Sequence, residues 1–163
     1  LAKIGLPMAY LQEAVAAGDL PEVRSVLARG EDAEGRDIDG RTALINAGWR
    51  GDPNIAETLL EVGADPDIVD HEGKSALIWA GSNGNLSVTA LLVGAGAELD
   101  IQDKQGLTAL MRAAWNGHTK VVEALLRAGA DTHLEDNNGQ TALAHATREQ
   151  YDDIIALLKG AAN

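Results

Sequence analysis

Gly40-Arg41-Thr42-Ala43-Leu44 is the stretch that decides the fold, because it returns three more times along the chain. The later copies are Gly73-Lys74-Ser75-Ala76-Leu77, Gly106-Leu107-Thr108-Ala109-Leu110 and Gly139-Gln140-Thr141-Ala142-Leu143. Each copy begins 33 positions after the one before it, with no slip in spacing. A fixed period of this length is typical of a protein built from one short structural unit that stacks on copies of itself.

Each copy carries the chemistry of a turn that leads into a helix. An aspartate stands three positions before each glycine, where its carboxylate can accept a backbone N–H from the turn. The glycine can adopt the positive φ that other residues resist. The hydroxyl residue two positions later can cap the first free N–H groups of a helix. The turn aspartates are Asp37, Asp70, Asp103 and Asp136, and the caps are Thr42, Ser75, Thr108 and Thr141.

Two helices are predicted in every unit. The first places a leucine and, three residues later, an alanine on one face. After a glycine break, apolar residues return at helical spacing in a second helix, which ends at another glycine. In one unit these residues are Leu44, Ala47, Gly51, Ile55, Leu59, Leu60 and Gly63, and their counterparts recur 33 positions later.

The two ends of the chain keep this register in weaker form. The N-terminal stretch lacks the turn aspartate and glycine, and Lys159 replaces the last apolar residue of the final helix. Both ends are therefore predicted to be caps, which a stacked array needs where its outer faces meet water. We expect a single domain over residues 1–163, with an N-terminal capping repeat at 1–39, internal repeats at 40–72, 73–105 and 106–138, and a C-terminal capping repeat at 139–163.

The complete pattern resembles the ankyrin repeat family, whose unit runs Asp-x-x-Gly-x-Thr-Pro-Leu-His-x-Ala-Ala-x-x-Gly-His before an apolar helix that ends in Gly-Ala-Asp. Asn116-Gly117-His118 and Gly129-Ala130-Asp131 nearly reproduce its most specific segments. The resemblance covers about the whole chain without an insertion. It implies an all-α, ankyrin-type helix-turn-helix solenoid of about five 33-residue repeats with short β-turn tips.

Two positions depart from the family pattern. Alanine stands where the family usually has proline, and Ile45, Ile78, Met111 and Ala144 stand where it usually has histidine. These replacements weaken the assumption that the family's histidine-centred hydrogen bonds tie the repeats together. We expect side-chain packing to supply more of the coupling between neighbouring repeats.

Composition limits the classes of partner and chemistry. The chain of 163 residues has no cysteine, which excludes disulfides, thiolate metal sites and cysteine nucleophiles. A net charge of −12 argues against nucleic acid or an anionic membrane as partner. No apolar run approaches the ~20 residues of a membrane span. The compartment stays open: a cytoplasmic location is favoured, and an exported form would follow if a leader had been removed ahead of Leu1.

Neither a catalytic constellation nor a metal site is predicted. The four histidines, His71, His118, His133 and His145, have no metal-ligand spacing. Asp152 and Asp153 are adjacent on a predicted helix and therefore point apart. We expect no enzymatic activity and no cofactor.

A binding face follows from the resemblance, because ankyrin arrays bind partners through a concave groove lined by turn tips and first helices. Counting along the repeat puts all three tryptophans in this groove, with six cationic and three acidic side chains. Tryptophan and arginine are enriched at interface hot spots. We expect Trp49 and Trp115 to lie outside the Leu/Ala core, whereas Trp79 either faces the groove or packs between adjacent first helices. The predicted partner-binding residues are Trp49, Arg50, Trp79, Trp115, Arg112, Arg148, Arg41, Lys74 and Lys104.

These observations predict a monomeric protein-protein interaction module. Its partner is expected to be a protein or peptide with an acidic and apolar segment, and not nucleic acid or membrane. Two alternatives remain open at this point. The chain could be a regulatory or targeting domain of a larger enzyme or channel, or a structural or designed scaffold without a dedicated partner.

Overall fold

The computed structural model describes residues 9–161, and within this range the chain forms ten α-helices in five consecutive pairs. The expected all-α solenoid of helix pairs is confirmed. The only β-type contact in the described range is an isolated bridge between Val69 and Ser75 in one turn tip. The first helices are α1 (Ala9–Ala17), α3 (Ala43–Arg50), α5 (Ala76–Asn83), α7 (Ala109–Trp115) and α9 (Ala142–Glu149), and the second helices are α2 (Leu20–Ala28), α4 (Pro53–Glu61), α6 (Leu86–Gly94), α8 (Thr119–Ala128) and α10 (Asp152–Ala161).

The helices form two layers. Each first helix packs on the first helices before and after it, from α1 through to α9. The second helices pack in the same order from α2 to α10, and each also packs on the first helix of its own pair. A side chain at one repeat position therefore has an equivalent neighbour in the next repeat.

The turns form as their sequence predicts. Asp103 accepts backbone N–H groups from Gln105 at 2.9 Å and Leu107 at 3.0 Å through the same oxygen, Oδ1. The hydroxyl of Thr108 then caps α7 by accepting the N–H of Met111 at 3.2 Å. The other three turns repeat this arrangement, and the four turn glycines have φ values of 73° to 78°. These turns place the tips at one edge of the first-helix layer.

The core runs the length of the stack between the layers. Leu44, Leu77 and Leu110 are fully buried along the first helices. Ile45, Ile78 and Met111, which replace the family's usual histidine, are also fully buried. Leu143 and Ala144 are half-buried because α9 is the last first helix of the described stack.

Hydrogen bonds also join neighbouring repeats, so the expectation that packing would carry more of the coupling is incomplete. At the tips, the N–H of one repeat donates to a carbonyl of the repeat before it at 3.0 Å; the pairs are His71 to Asp39, Lys104 to Glu72 and Asn137 to Gln105. At the far end of the first helices, Asn85 donates to the Gly48 carbonyl and His118 to the Ser82 carbonyl, at 2.8 and 2.9 Å. The acceptors of these bonds are backbone carbonyls, which every residue has. The sequence therefore did not reveal the bonds.

The longest helices of the described range, α8 and α10, have ten residues each. No helix between residues 9 and 161 is long and apolar enough to cross a bilayer.

Candidate functional site

The candidate site is the groove face, which we define as the exposed side of the first helices together with the turn tips that precede them. Helices α3, α5 and α7 bring Trp49, Trp79 and Trp115 to this face at successive repeats. The three indole rings have different surroundings. Trp49 is exposed, whereas Trp79 and Trp115 are half-buried and pack against the core. Trp115 was expected to lie outside the Leu/Ala core but packs against it, and Trp79 takes the packing alternative that the sequence left open.

Arg41 links the first two tryptophans. Its guanidinium carbon lies 5.6 Å from the ring centroid of Trp49 and 4.9 Å from that of Trp79. The ammonium of Lys74 lies 4.4 Å from the centroid of Trp79. Cations held over aromatic faces in this way contribute about 0.5–1 kcal/mol each at exposed sites. The contacts hold the rings and cations of this part of the groove face in one continuous surface.

A hollow of about 340 Å³ lies between α1 and α3, and we call it the N-terminal hollow. The side-chain amide of Gln12 donates to the carbonyls of Gly35 and Arg41 at 2.9 and 3.1 Å. The Asn46 amide donates to Gln12 Oε1 at 2.8 Å and to Asp37 Oδ2 at 2.9 Å. The polar groups of the floor are thus largely satisfied within the protein. The lining residues are Gln12, Glu13, Ala16, Asp37, Arg41, Asn46, Trp49 and Arg50.

A second hollow of about 490 Å³ lies at the other end of the groove face, and we call it the C-terminal hollow. The imidazole of His145 stacks on Trp115 with 4.9 Å between ring centroids and 13° between planes. The Arg148 guanidinium lies 5.3 Å from the centroid of the same indole. The lining residues are Lys104, Gln105, Leu107, Trp115, Asp136, Asn137, Asn138, Gln140, His145 and Arg148.

His145 and Asp136 form a buried pair beneath the C-terminal hollow. Nε2 of His145 lies 2.9 Å from Oδ2 of Asp136, and both side chains are 3 % exposed. Burial by itself would raise the pKa of Asp136. The backbone N–H donors of Gln140 and Asn138, together with the His145 side chain, outweigh burial and leave this pKa below its ordinary value. Asp136 is therefore an ionised acceptor at neutral pH, and Nε2 of His145 donates the hydrogen.

The turn aspartates neutralise part of the positive charge that the sequence places on this face. Arg112 forms a salt bridge with Asp103, and Arg41 lies 3.7 Å from both Asp39 and Asp70. Asp39 is one of the three acidic side chains expected in the groove, whereas Asp70 and Asp103 were treated only as turn residues and were left out of the groove charge. Arg148 pairs with the neighbouring Glu149 at 3.4 Å. Among the described residues, the cations of the groove face that form no salt bridge are Arg50, Lys74 and Lys104.

Six of the nine predicted residues line the two hollows, and Trp79 and Lys74 adjoin them through the cation contacts of Trp79. Arg112 lies on the same face beside Gln105, and both Trp79 and Arg112 are held by internal hydrogen bonds. Residues of α1, including Gln12 and Ala16, complete the N-terminal hollow and were not predicted. The sequence carried no signal for them because the first repeat lacks the turn that would have set its register. The spacing of nine residues between Asp136 and His145 was a signal available for the buried pair.

No group of histidine, aspartate and glutamate side chains within residues 9–161 has the arrangement of a metal site. His71 contributes its backbone N–H to a tip hydrogen bond, and His118 donates from its ring to the Ser82 carbonyl. The ring of His145 is hydrogen-bonded to Asp136. These contacts account for the rings of His118 and His145, whereas the hydrogen bond of His71 uses only its backbone N–H.

Comparison with known proteins places this architecture in a family. A model of ankyrin repeats, in three copies, matches residues 11–103 and again residues 77–163. A search of curated proteins found no match. The two family matches together span residues 11–163, which include all four turn-and-cap motifs and nearly all of the five helix pairs. The chain belongs to the ankyrin repeat family.

Proposed function

We propose that this protein is a non-enzymatic interaction module that binds a protein or peptide partner through its groove face. Ankyrin repeats generally serve as protein-protein interaction modules, and this supports the class of function. The finer proposal is that the partner presents a segment with acidic and apolar side chains. It rests on the surroundings of the groove residues.

The observation that carries the proposal is the exposed indole of Trp49 at the rim of the N-terminal hollow. This side chain is 46 % exposed. Burying the exposed half of an indole removes on the order of 100 Å² of mainly apolar surface from water, which favours binding by roughly 2 kcal/mol. Tryptophan, with tyrosine and arginine, is one of the residue types most enriched at the hot spots that dominate binding energies.

Charge supports an acidic segment. Arg50, Lys74 and Lys104 form no salt bridge with any described residue and lie on one face of a chain whose net charge is −12. An acidic segment is attracted to this face, while the rest of the surface repels it. Such steering increases the association rate and makes it depend on salt.

An affinity purification with three forms of the protein tests the proposal. Trp49→Ala removes the exposed indole from the groove face, and Leu86→Ala removes a similarly exposed apolar side chain, 41 % exposed, from α6 in the other layer. Proteins retained by wild type and by Leu86→Ala but lost with Trp49→Ala support binding through the groove face. Circular dichroism melting curves of the three forms check that each is folded.

The proposal fails if Trp49→Ala and wild type retain the same partners in the same amounts. Loss of every partner with Leu86→Ala but not with Trp49→Ala would instead assign binding to the second-helix layer.

A further inference from the structure

We propose that the groove face holds one extended partner segment at two separate points. An apolar side chain enters the N-terminal hollow, and a carboxylate enters the C-terminal hollow, about eight residues away along the segment. This inference rests on the proposed function and specifies which part of the partner each end of the groove face recognises.

The N-terminal hollow suits an apolar side chain because the polar groups of its floor already have partners. The amides of Gln12 and Asn46 donate only to acceptors within the protein, and Asp37 accepts two backbone N–H groups as well as the Asn46 amide. The remaining accessible wall is mainly apolar and includes Ala16 and the indole of Trp49. Arg41 and Arg50 also line the hollow and keep donors, but a polar group placed against the apolar wall itself would lose water and gain no hydrogen bond there, which is unfavourable.

The C-terminal hollow suits a carboxylate because it offers donors that nothing else uses. Among the described residues, the Lys104 ammonium and the side-chain amides of Asn138 and Gln140 contact no partner. Arg148 is held over Trp115 and pairs only with Glu149 at the surface. Hydrogen bonds from cationic and amide donors to a carboxylate are stronger than those between neutral groups.

Both oxygens of the one acidic side chain in this hollow already accept hydrogen bonds. Asp136 accepts the N–H groups of Asn138 and Gln140 through Oδ1 and the His145 ring through Oδ2. It is also buried. A cationic ligand would therefore meet Lys104 and Arg148 before it reached Asp136, so the hollow selects an anion.

The centre of the groove face contributes less to recognition because its side chains are held internally. The Trp79 indole donates to Asp70 at 2.8 Å, and Arg112 pairs with Asp103 and with Gln105. These groups provide a surface for the partner backbone but few free donors. Selectivity is thus expected at the two ends.

The distance between the hollows sets the spacing of the two side chains. One hollow lies between α1 and α3 and the other between α7 and α9, which is three first-helix intervals. Packed helices lie about 8–10 Å apart, so the hollows are about 24–30 Å apart. An extended segment advances about 3.3 Å per residue, which places the two side chains roughly seven to nine residues apart.

A phage-displayed library of random 14-residue peptides, panned against the full chain, tests this inference. We expect the enriched peptides to share a large apolar residue and an acidic residue about seven to nine positions apart. A synthetic peptide of that sequence should lose about tenfold or more in affinity when the spacing is shortened by four residues, because only one hollow can then be filled.

Protein variants assign each side chain to its hollow. Trp49→Ala should weaken binding of the synthetic peptide. It should have little effect on the binding of a second peptide in which the apolar residue has been replaced by alanine. Likewise, Lys104→Met should weaken binding of the synthetic peptide but have little effect on a peptide in which the acidic residue has been replaced. Lys120→Met, which removes an exposed cation from α8 in the other layer, and Leu86→Ala serve as matched controls and should bind as wild type does.

Enriched peptides that depend on Trp49 or Lys104 but show no preferred spacing would overturn the two-point inference and leave the groove function intact. Failure to enrich any peptide would also overturn it, since the inference requires a linear segment. The affinity purification, which does not require a linear peptide, decides the proposed function independently of either result.

Discussion

The indole N–H of Trp79 donates to Oδ2 of Asp70 at 2.8 Å, across nine residues of sequence. The same repeat position is occupied by three other residue types, and each contacts the same oxygen of its own turn aspartate. This side chain ties the first helix back to the turn that precedes it. The equivalent pairs are Asn46 with Asp37, Arg112 with Asp103, and His145 with Asp136.

Replacing Trp79 with phenylalanine should lower the free energy of unfolding by about 1–3 kcal/mol, because Asp70 is buried and loses a hydrogen-bond donor. The nearby Arg41 guanidinium should keep the loss towards the lower end of that range. Trp49→Phe is the matched control and should change stability by less than about 0.5 kcal/mol. Urea denaturation measures both. An equal decrease in the free energy of unfolding in the two variants would show that the Trp79 hydrogen bond adds nothing to stability.

Arg112→Met should destabilise the protein by roughly 3 kcal/mol, because it leaves the carboxylate of Asp103 buried without its cation. Lys104→Met removes the same charge from an exposed side chain and should have little effect on unfolding. The double variant Arg112→Met/Asp103→Asn should recover part of the loss. If it is no more stable than Arg112→Met alone, the uncompensated charge is not the cause.

Gly48→Ala should be destabilising by up to about 2 kcal/mol although the residue is helical. Alanine favours a helix interior over glycine by about 1 kcal/mol. However, a Cβ at this position would lie 2.7 Å from the backbone oxygen of Ala76, and overpacking costs about 1–3 kcal/mol. Gly94→Ala in α6 is the control, since its Cβ would meet no atom within 4 Å, and it should leave stability unchanged or raise it. A higher melting temperature for Gly48→Ala than for Gly94→Ala would contradict this packing.

The pKa of Asp136 is below its ordinary value in the folded protein, so the folded state binds this proton more weakly than the unfolded chain. The resulting stability is complete above the unfolded pKa of about 4 and is lost as the pH falls through the folded pKa. Asp136→Asn should therefore be less stable than wild type at neutral pH, and the difference should shrink below about pH 4. Denaturation curves between pH 7 and pH 3 measure this difference. Glu57→Gln, an exposed change on α4, serves as the control; a difference for Asp136→Asn that stays constant with pH would contradict the linkage.

The helix pairs could be predicted because their signals are local. A turn aspartate and its glycine are three residues apart, and a cap threonine and the N–H that it accepts are also three residues apart. Such contacts follow from backbone geometry within one turn. The α1 wall of the N-terminal hollow could not be predicted in this way. Gln12 reaches the Arg41 carbonyl across 29 residues, and no local spacing encodes that contact.

The sequence by itself determined the period, the turns, the helix N-caps and the order of the stack. Each of these depends on residues that are neighbours along the chain. It also identified the face that carries Trp49, Trp79 and Trp115. Only the tertiary structure decided which side chains on that face are exposed and which are held by internal hydrogen bonds. Trp79 and Arg112 are engaged by buried carboxylates, whereas Trp49 and Lys104 are exposed. That distinction depends on how each first helix packs over its own turn and against the next repeat, and residue type at a repeat position does not specify it.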